Sequence, residues 1–186
     1  MLGKPCIKGM LTFDILSLKS SMIFHRCYHY SVALQLNHLL FLNLYVLGVL
    51  MIAASFGGWS SVCTIMAIYA SYAVYLARLQ ALPYLCLVGL LAVYATELAA
   101  RSGSQQSYNW EAALTGLWIV FGSFLAQLAG HALFEEFAAP PHLFHGFVAA
   151  PLLEFVSLLF TLGFLPALRE AVDLEVERER GAASPP

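Results

Sequence analysis

The sequence predicts an all-α, polytopic membrane bundle with about four to five apolar helices. Of its 186 residues, 60% are apolar and only 11% are charged, whereas a soluble domain contains about 25% charged residues. No charged residue occurs from Leu39 to Ala77, and one membrane crossing needs only about 20 residues. The chain is therefore predicted to cross a membrane several times.

Turn signals divide the apolar sequence into helices. The segment "GGWSS" at 57–61 contains a Gly-Gly pair, which is typical of a turn, and a Trp, which suits a membrane interface. Pro83 opens a third stretch, and "RSGSQQSYNW" at 101–110 is a polar loop before the fourth. The predicted helices cover residues 39–56, 61–79, 83–100, 111–131 and 147–166.

Basic residues set the expected orientation. They precede the first helix and follow the last, which predicts that both ends lie on the cytosolic side. Because this requires an even number of crossings, 83–100 or 147–166 is expected to re-enter the membrane or stop short. We divide the chain into an N-terminal segment 1–23, one membrane helical domain 24–170, and a charged, then disordered tail 171–186.

Composition also excludes several classes of function. The net charge is −2 and the basic residues are scattered, which argues against a nucleic-acid surface. The four cysteines are widely spaced without a Cys-x-x-Cys pair, so neither a zinc finger nor a disulfide framework is indicated.

The histidines form two groups that flank the apolar middle of the chain. They are His25, His29 and His38 before it, and His131, His142 and His145 after it. If both ends of the bundle face one side, the two groups can meet there, and neutral imidazole is the commonest metal ligand. A histidine at a membrane interface is, however, more often an amphipathic anchor than a ligand.

Two local patterns bear on a metal site. His29 and His38 are nine residues apart and would lie on opposite faces of one helix, so they converge only if a helix starts between them; Ser31 offers an N-cap there. Gln127, His131 and Glu135 are spaced four apart and share one helix face. Two other interpretations stay open: a hydrogen bond from Gln127 to a neighbouring helix, and a place for Glu135 in a solvated loop.

Three segments resemble the fungal-type 2-hydroxy fatty acid dioxygenase family, small membrane proteins of the endoplasmic reticulum. These are "YHYSVALQLNH" at 28–38, "QLAGHALFE" at 127–135 and "AAPLLEFVSLLFTLGFLP" at 149–166. They resemble the family motifs Tyr-His-His-Asn-Pro with a later His, Gln-x-x-Gly-His-x-x-Phe-Glu, and an Ala-Pro followed by Leu-Gly-Phe-x-Pro. The resemblance covers about residues 24–170.

The chain also departs from these motifs. Tyr30 stands where the family has its second histidine, Ser31 and Val32 replace Asn-Pro, and Leu34 replaces an asparagine. The acidic residue of the third motif falls where this chain has Ser157, so the resemblance gives Glu154 no part in the chemistry.

The resemblance implies an iron(II)-dependent dioxygenase that shortens 2-hydroxy fatty acids by one carbon, an α-oxidation step in the breakdown of phytosphingosine and thus in sphingolipid metabolism. His29, His38 and His131 would hold Fe(II), while Glu135 and Gln127 would be ligands or their hydrogen-bond partners. His25, His142 and His145 are possible substitutes for the missing ligand. A long-chain 2-hydroxy fatty acid, O2 and membrane lipid are the implied partners, and the endoplasmic reticulum membrane is the implied location.

Two other functions stay open. The eroded first motif fits a degenerate family member or a non-catalytic membrane scaffold. A small transporter would need paired charges within its spans, and Glu154 is the one charged residue that lies away from the ends of a predicted helix.

Overall fold

All regular secondary structure in the described part of the chain is helical. The computed structural model describes residues 14–29, 31–101, 108–135 and 145–182. The helices are α1 (Leu18–Tyr28), α2 (Val32–Ala77), α3 (Leu82–Arg101), α4 (Trp110–Phe134), α5 (Ala150–Thr161) and α6 (Pro166–Ala182). A 3-10 turn, Arg78–Ala81, joins α2 to α3, and a π-helical turn, His145–Ala149, leads into α5. The all-α prediction is confirmed for these residues.

Two or three helical segments are long and apolar enough to cross a membrane. Val32–Arg101, with 70 residues, and Trp110–Phe134, with 25, each meet this condition. His145–Thr161 and Pro166–Glu179, which meet at a bend of 106°, supply a third if they count as one span. Membrane association is supported, but the expected count of four to five helices is not confirmed.

The predicted helices 39–56 and 61–79 lie in α2, except that residues 78 and 79 belong to the following 3-10 turn. The "GGWSS" break reduces to one non-helical residue, Gly58, with φ 55° and ψ −143°. Glycine adopts a positive φ without the steric cost that a Cβ imposes. The helix is therefore interrupted where the sequence predicted, but without an intervening loop.

The chain divides into two compact units. The histidine unit comprises residues drawn from Met1–Leu39 and Leu128–Pro186, and the apolar unit comprises Leu40–Gln127. Both α2 and α4 contribute residues to each unit.

Close backbone packing and one asparagine organise the apolar unit. A Cβ at Gly48 would lie 2.7 Å from the Gly116 carbonyl oxygen, and a Cβ at Gly116 would lie 2.7 Å from that of Gly48. Asn109 precedes α4 and accepts from the Ala112 N–H at 3.1 Å, which satisfies one of the free donors of the first turn. Its amide donates to Ala99 O at 2.6 Å, and its backbone N–H donates to Ser55 O at 3.0 Å.

In the histidine unit, the short helix α1 packs against α5 and α6. Ser17 caps α1 by accepting from the Ser20 N–H. At the other end of α1, the Arg26 guanidinium lies 3.3 Å from the Asp173 carboxylate and over the Phe160 ring. Most side chains of α1 are buried, so this helix belongs to the core although it precedes every predicted span.

The "LGFLP" segment forms the turn between α5 and α6. Gly163 has φ 84°, its N–H donates to Phe160 O, and the Phe164 N–H donates to Leu159 O. This pair of bonds is a Schellman motif, in which a glycine with positive φ closes the end of a helix. Pro166 then begins α6, which fits the preference of proline for a first helical position.

The C-terminal helix α6 extends into the tail that the sequence predicted to be charged and then disordered. It runs without interruption from Pro166 to Ala182, across the proposed boundary at 170. Residues 183–186 lie outside the described part of the chain, as do Tyr30 and His142.

Candidate metal centre

A helix break brings His29 and His38 together. His29 follows the last residue of α1, and α2 begins at Val32, so Ser31 directly precedes the helix. Its carbonyl accepts from the Gln35 N–H at 3.0 Å, which closes the first turn. The imidazole rings of His29 and His38 are consequently 4.9 Å apart between centroids, as a break at this point predicts.

The end of α4 adds His131 to this pair. Its ring lies 5.0 Å from that of His29 and 4.9 Å from that of His38. Each residue offers a ring nitrogen, and these atoms all lie within 4.8 Å of one another. The three histidines that the motif resemblance implies as metal ligands thus form one cluster, which we call the histidine trio.

A glycine allows α2 and α4 to approach beside the trio. A Cβ at Gly130 would lie 2.6 Å from Oδ1 of Asn37 and 3.0 Å from a methyl carbon of Leu34. Gly130 precedes His131, and Asn37 precedes His38. In the Gly-His pair of the second motif, the glycine therefore permits close helix packing and the histidine supplies a candidate ligand.

Glu135 lies against the trio. Its Oε1 accepts the Ser31 N–H at 3.0 Å, and its Oε2 lies 3.8 Å from Nδ1 of both His29 and His131. The side chain is buried, so Glu135 does not belong to a solvated loop. The bond to Ser31 fixes the carboxylate where it can bind a metal or accept from an imidazole after a small movement.

Burial keeps two of the site histidines neutral. Loss of solvation lowers the pKa of His25 to about 3, with the nearby Arg26 charge as a second cause. Loss of solvation and then His25 hold the pKa of His29 well below its usual value. A neutral imidazole keeps the lone pair that a metal requires.

Several buried nitrogen atoms lack the hydrogen bonds that buried polar atoms normally make. Within the described residues, Nδ1 of His29, His38 and His131 makes none. Since buried polar groups are nearly always satisfied, three such atoms in one cluster are an observation in favour of a bound cation. Three neutral imidazoles with an adjacent carboxylate suit Fe(II), Zn(II) or Cu(II), and on iron they leave coordination positions for other ligands.

The remaining predicted residues have different placements. His25 and His145 are buried, with ring centroids 5.9 Å apart, and His25 stacks edge-on to His29 at 4.6 Å. His142 lies outside the described residues. Gln127 is half-buried one turn before His131 and belongs to the apolar unit, and its role stays a prediction.

Glu154 is the site residue that the resemblance set aside. It lies on α5 with its Oε1 3.1 Å from Nε2 of His25, and it forms a second group of possible metal ligands with His25 and His29. The sequence did point to Glu154, because a carboxylate within an apolar helix is costly and requires a polar partner, but the sequence does not identify that partner.

Comparisons with protein families, curated proteins and solved structures found no match to this chain.

Proposed function

We propose that the chain is an Fe(II)-dependent dioxygenase that shortens a long-chain 2-hydroxy fatty acid by one carbon. The observation that carries the proposal is the histidine trio, with its three ring nitrogens within 4.8 Å of one another beside a buried carboxylate. The fatty-acid substrate and the iron come from the motif resemblance.

In this proposal His29, His38 and His131 hold the metal. Bound Fe(II) would supply activation of O2 and positions for the substrate carboxylate and 2-hydroxyl. Glu135, 3.8 Å from two of these imidazoles, would be a further ligand or would fix the imidazole tautomers, as carboxylates beside metal-bound histidines do.

The reaction balances with O2 as the oxidant. The bond between C1 and C2 breaks, C1 leaves as carbon dioxide, and C2 becomes the new carboxyl carbon. The substrate loses four electrons, which reduce O2, so that one shortened fatty acid, one carbon dioxide and one water form. The protein would orient the carboxylate end and limit the access of water.

We further propose a multi-pass arrangement with four to five apolar helices in the endoplasmic reticulum membrane. A straight helix of 70 residues would be about 105 Å long, whereas the hydrocarbon core is about 30 Å thick. The interruption at Gly58 and the 3-10 turn at Arg78–Ala81 are the points at which Val32–Arg101 would divide into successive crossings. The location follows from the resemblance.

The test is O2 uptake by the purified, detergent-solubilised protein with Fe(II) and a long-chain 2-hydroxy fatty acid. Mass spectrometry would follow the product that is one carbon shorter. We expect uptake and product in equal amounts, and the loss of both in His131→Ala. Glu170→Gln, which changes an exposed carboxylate on α6, is the control and should retain both.

The scaffold and degenerate-member alternatives predict different results. A scaffold would bind no stoichiometric iron, and His131→Ala would leave its fold and partners intact. A degenerate family member would bind iron but show no O2 uptake. Either result, obtained with protein whose helix content is intact by circular dichroism, would overturn the proposed activity.

A further inference from the structure

A second buried cluster lies next to the histidine trio. His25 is 0% exposed and Glu154 is 2% exposed, and neither belongs to the trio. The ring of His25 lies 4.6 Å from that of His29. One ligand atom from each of His25, His29 and Glu154 lies within 4.8 Å of the other two.

The polar atoms of this cluster are not satisfied by the described residues. Nε2 of His25 and Oε1 of Glu154 are 3.1 Å apart but are not aligned as a hydrogen bond, and Nδ1 of His25 and Oε2 of Glu154 make none either. The Ser157 hydroxyl, three residues after Glu154, is buried and also makes none. A fully buried carboxylate in this state is costly unless a cation or a well-formed hydrogen bond compensates it.

We propose that His25, His29 and Glu154 form a second divalent-cation site. Two imidazoles and one carboxylate are a ligand set that binds Fe(II) and other first-row cations and leaves coordination positions open. The Glu154 carboxylate would provide negative charge that compensates the bound cation. His29 belongs to both groups, and because a neutral imidazole has one free lone pair, it would serve the trio or the second site, one at a time.

Secondary structure holds this site in place. His25 lies on α1 and Glu154 on α5, and these two helices pack directly against each other. The ion pair between Arg26 and Asp173 joins the same end of α1 to α6. Two of the three ligands are thus carried by packed helices, and His29 directly follows the end of α1.

The alternative is a plain His–Glu contact without a metal. A hydrogen bond between His25 and Glu154 would satisfy one atom of each and leave the others unsatisfied. Glu154→Gln separates the two readings, because an amide can still hydrogen-bond His25 but is a much poorer ligand than a carboxylate. The second site does not depend on the proposed dioxygenase activity.

The test is a titration with Co(II), whose visible absorption reports coordination by nitrogen and oxygen ligands. The double variant His38→Ala/His131→Ala removes two ligands of the trio and leaves the second site whole. We expect it to bind one Co(II) per chain, and we expect Glu154→Gln in that background to weaken binding at least tenfold. Glu170→Gln in the same background is the matched control.

The outcomes distinguish this site from the trio. If the double variant binds no Co(II), while the unmodified chain binds one that survives Glu154→Gln, the second site is overturned and the trio stands. If the triple variant His38→Ala/His131→Ala/Glu154→Gln does not fold, as judged by helix content, the same titration is made with His25→Gln in the double variant. Full retention of Co(II) in His25→Gln would equally overturn the site.

Discussion

The two units of the chain differ in what they bury. Every buried histidine and carboxylate of the described residues lies in the histidine unit, whereas the buried polar side chains of the apolar unit are Ser55 and Ser123. Both units expose large apolar side chains, among them Trp118 of the apolar unit at 69% and Phe164 of the histidine unit at 58%. Burying polar and ionisable groups is costly and needs compensation, so the candidate metal ligands of the described residues are concentrated in the histidine unit.

The two units also differ in how their helices approach. In the apolar unit, Gly48 and Gly116 bring backbone against backbone. In the histidine unit, Gly130 faces the side chain of Asn37. Small residues at helix crossings permit such close packing in membrane proteins, but a side chain can move away from an added methyl group and a backbone cannot do so readily.

The largest effect is expected for Glu135→Gln in the histidine unit. The amide oxygen can still accept the Ser31 N–H, so the fold should persist, but the negative charge 3.8 Å from His29 and His131 is lost. Loss of such a partner typically weakens metal binding about 10- to 100-fold. Competition with a chelator measures the Fe(II) affinity, and Glu170→Gln is the control. An unchanged affinity would remove Glu135 from the site.

Gly116→Ala should cost the most stability in the apolar unit. Its new methyl group would meet the Gly48 carbonyl oxygen at 2.7 Å, and overpacking of this kind costs about 1–3 kcal/mol. Denaturation in mixed micelles, followed by circular dichroism, gives the free energy of unfolding. Gly89→Ala, where nothing lies within 4 Å of the new Cβ, is the control and should not destabilise. Equal losses in both variants would contradict the close-packing explanation.

Asn109→Ala should destabilise the apolar unit by about 1 kcal/mol, the usual cost of losing an N-cap. The substitution removes the bonds of the side chain to the Ala112 N–H and to Ala99 O. The same denaturation experiment measures it. Thr115→Ala, which removes one exposed hydroxyl bond within α4, serves for comparison, and an equal loss there would show that Asn109 has no special role.

The smallest effect is expected for Gly130→Ala, below about 1 kcal/mol, because overpacking costs less when a neighbour can move aside. The added methyl group would meet the side chain of Asn37 instead of a backbone atom. The free energy of unfolding is compared with that of Gly122→Ala on the same helix, where the space is open. A larger loss of unfolding free energy than in Gly116→Ala would contradict the proposed difference between these two helix contacts.

Much of the architecture could be predicted from local sequence. Charge-free length predicts helices that can cross a membrane, "GGWSS" locates the interruption at Gly58, and the spacing of His29, Ser31 and His38 requires the helix start that α2 has. These features depend on neighbouring residues alone. The number of crossings could not be predicted in this way. The sequence indicated loops between successive helices, but the structure has one positive-φ glycine and a 3-10 turn at these points.

The sequence by itself determined that the chain is helical and apolar, and that two groups of histidines flank its apolar middle. The motif resemblance then selected the histidine trio and Glu135 from the residues to consider for a metal. Only the tertiary structure decided that Glu154 faces His25, because the two residues are 129 positions apart in the chain and no periodicity connects α1 with α5. Local patterns fix which face of a helix a side chain occupies. Which helix meets that face depends on the packing of the whole histidine unit.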